Sequence, residues 1–139
     1  MSAPSLLYLS KQWETAVRSH LEAVLSPAGV SVAQYTALTV LERSPGLTSA
    51  TLARRAFVTA QAMSEVVRTL EANGLITRAP DPDHAKRLLI DLTPSATELL
   101  AELGDPVAAI ETEMTADLDA GDAADLRRMV SSCLDRLRS

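Results

Sequence analysis

The stretch that most constrains this chain is residues 63–92, where one periodicity gives way to another. Met63, Val66, Val67 and Leu70 recur at three- and four-residue steps, the apolar stripe of an amphipathic helix. Asn73-Gly74 follows, a pair that tolerates the left-handed backbone on which helices end. Leu75-Ile76-Thr77-Arg78-Ala79 and Leu88-Leu89-Ile90-Asp91-Leu92 then read as strands, the second with Leu88, Ile90 and Leu92 on one face. Between them, Pro80 to Arg87 reads as a polar loop, too long for a two-residue hairpin turn.

On either side of this stretch the pattern is helical. Pro4 to Leu25 carries Leu6, Leu9, Trp13, Val17, Leu21 and Val24 on one side and stops at Ser26-Pro27-Ala28-Gly29. Ser31 caps a second helix to about Arg43, and Pro45-Gly46 breaks the chain. A short third helix follows a Thr48 or Ser49 cap. Phe57-Val58 is a turn, and Thr59 caps the helix that ends at about Asn73. Thr93-Pro94 opens a helix towards Asp117, with a bend expected at Gly104-Asp105-Pro106. A last helix after Ala120-Gly121-Asp122 carries Leu126, Val130, Cys133, Leu134 and Leu137 on one side, which predicts a buried, inert thiol at Cys133. The fold class is mainly α with a small two-stranded β wing. Three parts are expected: an N-terminal dimerisation helix over 1–30, a winged helix-turn-helix module over 31–93, and C-terminal dimerisation helices over 94–139. The first and last helices need a partner for their apolar stripes, and packing them together within or between subunits predicts a homodimer.

The chain carries a net charge of −5, which taken whole argues against a nucleic-acid partner. The charge is unevenly placed. Residues 1–47 hold three basic and three acidic groups, residues 48–93 six and five, and residues 94–139 four and ten. The middle is thus mildly basic and the acidity sits in the C-terminal helices. Arg54, Arg55, Arg68, Lys86 and Arg87 fall where a helix-turn-helix and its wing would face a duplex. No strictly apolar run exceeds four residues, so no membrane partner is expected. The first residues lack the pattern of a signal peptide, and the single cysteine suits a reducing compartment; a cytoplasmic protein is the expectation.

In order and spacing, these motifs resemble the MarR family of dimeric winged-helix transcription regulators. The likeness runs from Leu52-Ala53-Arg54-Arg55 through Val58-Thr59-Ala60-Gln61-Ala62-Met63-Ser64 to Leu70-Glu71-Ala72-Asn73-Gly74-Leu75-Ile76-Thr77-Arg78. It then continues through Asp81-Pro82-Asp83 to Leu89-Ile90-Asp91-Leu92-Thr93. The wing departs from the family's usual Asp-x-Arg. It reads His84-Ala85-Lys86 followed by Arg87, similar to a His-Gly-Arg form found in relatives. The arginine that reaches the minor groove in the family is here Lys86, or is replaced by Arg87.

The resemblance implies a DNA-binding repressor acting on a pseudo-palindromic double-stranded operator, its two recognition helices about one duplex turn (roughly 10 bp) apart. The face opposite the apolar stripe presents Thr59, Ala60, Gln61, Ser64, Glu65 and Arg68. Gln61 suits adenine, Arg68 guanine or phosphate, Ser64 a phosphate or base edge, and Glu65 cytosine. Arg54 and Arg55 are phosphate contacts or plain surface, and His84, Lys86 and Arg87 belong to the wing. Arg78 is expected to pair with a wing carboxylate. Relatives release DNA when a small aromatic or phenolic effector binds, and Tyr8, Trp13, His20 and Tyr35 are the candidate lining for one. His20, His84 and Cys133 are scattered, without metal-ligand spacing or a Gly-rich phosphate loop, so neither an enzyme nor a cofactor is expected. The alternative is a winged-helix module that binds protein and not specific DNA.

Overall fold

A computed structural model of the chain describes residues 2–139. Six α-helices and one β-hairpin follow in the order α1 (Leu6–Leu25), α2 (Val32–Arg43), α3 (Ser49–Arg55), α4 (Ala60–Ala72), β1 (Ile76–Asp81), β2 (His84–Leu92), α5 (Pro94–Met114) and α6 (Ala120–Arg138), with a single 3-10 turn at Ser26–Ala28. This is the expected mainly helical class with a two-stranded wing. Each helix start is a hydroxyl or carboxylate satisfying backbone donors that the helix leaves unpaired. Ser31 and Gln34 form a reciprocal capping box on α2. Thr48, Thr59 and Thr93 cap α3, α4 and α5, the last ahead of Pro94 at the first helical position. Gly74, at φ +73, ends α4 in the left-handed region, and the Leu75 amide closes the motif by donating to the Leu70 carbonyl.

The core gathers one face from each element of the middle of the chain. Leu38 and Leu41 of α2, Leu52 of α3, Met63, Val67 and Leu70 of α4, Ile76 of β1 and Ile90 of β2 are all essentially inaccessible to water. Ala96 and Leu100 bring the start of α5 onto the same cluster. Among the described residues no polar or charged side chain is buried, so the module is held by apolar packing and its charges are left for the surface. A short extra bridge ties the α2–α3 connection to the wing: the Gly46 amide donates to the Ile90 carbonyl, and the Ile90 amide to that of Leu47.

Three expectations are corrected. First, the wing is not two five-residue strands around an eight-residue loop. β1 and β2 continue to Asp81 and His84 and turn through Pro82-Asp83 alone. The Asp81 carboxylate accepts from the Asp83 amide at 2.9 Å, an Asx turn, and proline there leaves no unpaired amide. The surplus length is absorbed as an irregularity: Pro80 pairs with Leu88 but Asp81 pairs with His84, leaving Ala85-Lys86-Arg87 unopposed. Second, α5 is not broken at Pro106 but keeps it inside the helix, and it ends at Met114, short of Asp117. Residues 104–106 are exposed, so the carbonyl left without a partner by Pro106 faces water. α6 likewise starts earlier than expected, at Ala120, on an Asp119 cap. Third, Cys133 is exposed and not buried. No residue of α6 is buried: Leu126 and Val130 are only half-covered beside Trp13 and Met114, and Leu134 and Leu137 stay exposed. An exposed ion pair, Arg127 Nη2 to Glu111 Oε1 at 2.9 Å, links α6 to α5.

Candidate nucleic-acid interface

Two elements carry the cationic side chains, and the fold sets them side by side. The start of α3 and the wing border a common open groove, lined by Thr48, Ala50, Thr51, Arg54, His84, Lys86 and Arg87. The unopposed segment of β2 puts Lys86 and Arg87 at this edge. Arg54 is steadied from its own helix, Nη2 donating to Thr51 Oγ1 at 3.1 Å, and Arg55 donates through Nη1 to Ser44 Oγ at 3.0 Å. Neither arginine pairs with a carboxylate, so both guanidinium charges are uncompensated. A phosphate in the groove would meet at least three permanent positive charges.

α4 presents the second surface. Burial of Met63, Val67 and Leu70 orients the helix so that Thr59, Ala60, Gln61, Ser64, Glu65 and Arg68 are all exposed. The Thr59 hydroxyl accepts from the Ala62 amide at 3.1 Å, and the Ser64 hydroxyl donates back to the Ala60 carbonyl at 3.1 Å. Gln61 and Arg68 project into solvent and are free to address a partner. The sequence-derived residues thus fall into two groups, Arg54 with His84, Lys86 and Arg87 at the groove and the α4 set on an open helix face, while Arg55, turned to Ser44, belongs to neither. Sequence reasoning missed Thr48 and Thr51, whose hydroxyls line the groove and bond each other at 3.1 Å. Their cap positions on α3 were the signal.

Arg78 departs from expectation. It pairs with Glu71 at the end of α4, not with a wing carboxylate, through Nε to Oε2 at 3.1 Å and Nη2 to Oε1 at 2.8 Å. The bidentate fork joins α4 to the first wing strand, seven residues apart across the Gly74 turn. The hydrogen bond from Arg78 holds the Glu71 carboxyl below its ordinary value, opposed by desolvation and reinforced by the Arg78 charge. A carboxyl depressed in the folded state stabilises the fold above its unfolded pKa, and that contribution is lost as pH falls through the lower folded value. Glu71→Gln is therefore expected to lower Tm at neutral pH, with the difference from the parent closing as the solution is acidified below the normal carboxylate range. Thermal scans over pH 3–7 measure it.

The four candidate effector residues are not gathered in a single chain. Trp13 lies between two shallow surface grooves, its indole Nε1 against Met114 Sδ at 2.9 Å. One groove adds Val17, Arg18, Leu21 and Val32; the other adds Met114, Leu126, Arg127 and Val130. Tyr8 and His20 are exposed on α1 and line neither. Tyr35 packs against the core, where burial and then the charge of Glu42 push its hydroxyl above the usual value. Arg18, paired with Glu14, was not singled out from the sequence, although it brings a cation beside the Trp13 face.

A helix-turn-helix followed by a β wing, flanked by long amphipathic helices, defines a winged-helix protein. The sequence profile described as the MarR family matches residues 28–87. Over 123 residues the chain is 34% identical to the HTH-type transcriptional repressor Rv2887 of Mycobacterium tuberculosis (strain ATCC 25618 / H37Rv), covering 88% of each protein. The chain belongs to the MarR family, as the resemblance in its motifs implied. Two crystal structures of the M. tuberculosis MarR family protein Rv2887 superpose on it across almost their whole length. The complex with DNA gives a TM-score of 0.79 at 33% identity, covering 95% of this chain and 98% of that one. The complex with salicylic acid gives 0.77 at 34%, covering 95% and 97%. Among the described residues, no single helix is long and apolar enough to cross a membrane.

Proposed function

We propose that this chain is a homodimeric, sequence-specific DNA-binding repressor of transcription, released by a small aromatic acid or phenol. The observation that carries the reading is a pair of complementary surfaces. An exposed polar helix, α4, stands ready for base edges, and a cationic groove between α3 and the wing stands ready for phosphate. In this reading Gln61, Ser64, Glu65 and Arg68, with Thr59 and Ala60 at the helix start, meet the major groove. Arg54, Arg55, His84, Lys86 and Arg87 meet the backbone and minor groove. The repressor named above is itself known in a complex with DNA, which supports a DNA partner for this chain.

The working boundaries are 1–30 and 94–139 for dimerisation and 31–93 for DNA binding. Support for the dimer is the apolar surface left uncovered at both chain ends: Leu6, Leu7 and Leu137 are each at least 80% exposed. Singly exposed apolar residues are ordinary, but a run of them on two terminal helices marks an interface. The effector reading rests on the apolar surface around Trp13, which suits an aromatic ring, and on the relative's complex with salicylic acid; Arg18 and Arg127 lie beside it, each already paired with a glutamate. Tyr8, His20 and Tyr35 would join such a site only across the dimer. A role without catalysis, in the cytoplasm, completes the reading.

Hydroxyl-radical footprinting on the chain's own promoter tests it. Two protected half-sites related by two-fold symmetry, centred about 10 bp apart or a multiple of that, are expected. A single protected block without symmetry would contradict the dimeric repressor.

A further inference from the structure

The turn between α3 and α4 holds a side chain that the fold has no evident use for. Phe57 has φ +60, the one non-glycine residue at positive φ among those described, and its side chain is 81% exposed. It occupies the left-handed position that ends α3. Its amide approaches the Arg54 carbonyl at 3.4 Å, and the next amide, of Val58, donates to the Ala53 carbonyl at 3.1 Å. Glycine is the residue this geometry favours, and a bulky aromatic there is under steric strain. Phenylalanine at this site thus carries both the strain of its backbone and the cost of an aromatic ring in water, with no burial in return. Strain of that kind persists where it serves a function.

Its surroundings say which. Arg54 and Arg55 precede it in the last turn of α3, Thr59 caps α4 two residues after it, and the exposed Gln61 and Ser64 follow. An exposed ring that stands in the chain between two arginines without carboxylate partners and the N-terminus of α4 suits a polyanion that also offers apolar surface. DNA is such a partner, through its thymine methyls and the carbons of its deoxyriboses. We propose that Phe57 is a DNA contact, packing its ring on an apolar edge of the duplex beside the phosphates held by Arg54 and Arg55. The inference rests on the DNA-binding reading above. It makes the turn a place where folding stability is given up for affinity.

The test uses the full chain and the tightest-binding duplex selected from a random-sequence library, with Phe57→Gly and Phe57→Leu beside the parent. Phe57→Gly is expected to raise Tm by a few degrees, by removing the left-handed strain. It is also expected to weaken binding about tenfold, with the salt slope unchanged because no charge is lost. Phe57→Leu retains an apolar side chain and should fall between. Uracil in place of thymine then distinguishes the two sources of apolar surface. If the parent loses affinity on the uracil duplex and Phe57→Gly does not, the contact is a thymine methyl. If the parent is indifferent to uracil while Phe57→Gly still binds weakly, it is a sugar. Unchanged affinity in Phe57→Gly overturns the proposal while leaving the DNA-binding reading intact. A parent that selects no sequence overturns both.

Discussion

Leu134→Asp combined with Leu137→Asp yields a monomer that holds operator DNA about a hundredfold to ten-thousandfold more weakly than the parent, the loss expected when two linked half-site contacts become one. Both leucines lie on α6, where no residue is buried in the single chain, and they are 44% and 83% exposed. Folding of the winged module does not depend on them, because its core comes from α2, α3, α4, the hairpin and the start of α5. Carboxylates here would lie in the proposed two-fold contact with the other copy's apolar surface, where desolvation makes them costly. The acidic C-terminal region adds like-charge repulsion. Analytical ultracentrifugation gives the mass, and a gel-shift titration gives the affinity. A variant that stays dimeric would remove α6 from the interface, and a monomer that binds as tightly as the parent would contradict the linkage of two half-sites.

Arg68→Ala is expected to cost about 1–3 kcal/mol of binding, with relaxed preference at one base position in each half-site. The residue is exposed on α4, carries no ion pair and follows Gln61 by two turns on the outward side. Lys86→Ala and Arg87→Ala should behave differently. Each removes a charge from the groove beside α3 and weakens binding to all sequences alike, lowering the slope of log affinity against log salt by about 1. Binding-site selection on each variant separates the two patterns. If Arg68→Ala keeps the parent's consensus and loses only salt sensitivity, then Arg68 is a phosphate contact and base reading lies with Gln61 and its neighbours.

Much of this arrangement is written locally. Helix starts at Ser31, Thr48, Thr59 and Thr93 follow from hydroxyl caps, and the end of α4 from Asn73-Gly74. The buried stripe of Met63, Val67 and Leu70 orients α4 and thereby fixes which of its residues face outward, so helical periodicity alone makes the exposed α4 set legible. The wing is less legible. Pro80, Asp81, Pro82 and Asp83 look like loop by composition, but cross-strand pairing and one Asx bond extend the strands through them. Propensity lost to pairing there. The Glu71–Arg78 fork was invisible for another reason: which carboxylate an arginine meets depends on how the chain returns after Gly74. Cys133 and Trp13 mark the limit of helical periodicity. A stripe shows that a face wants a partner but not whether that partner is in the same chain.

In the proposed function, an acidic chain reads DNA through a locally cationic, two-fold symmetric surface. Titrating the full-length protein against its own promoter fragment and a scrambled duplex of equal length, at 50 and 200 mM salt, tests it most directly. A repressor of this kind should prefer the promoter by at least about a thousandfold. Its affinity should also fall steeply, by about three orders of magnitude or more, between the two salt concentrations. Equal and weak binding to both duplexes at low salt would contradict the account and leave a winged-helix module whose partner is protein.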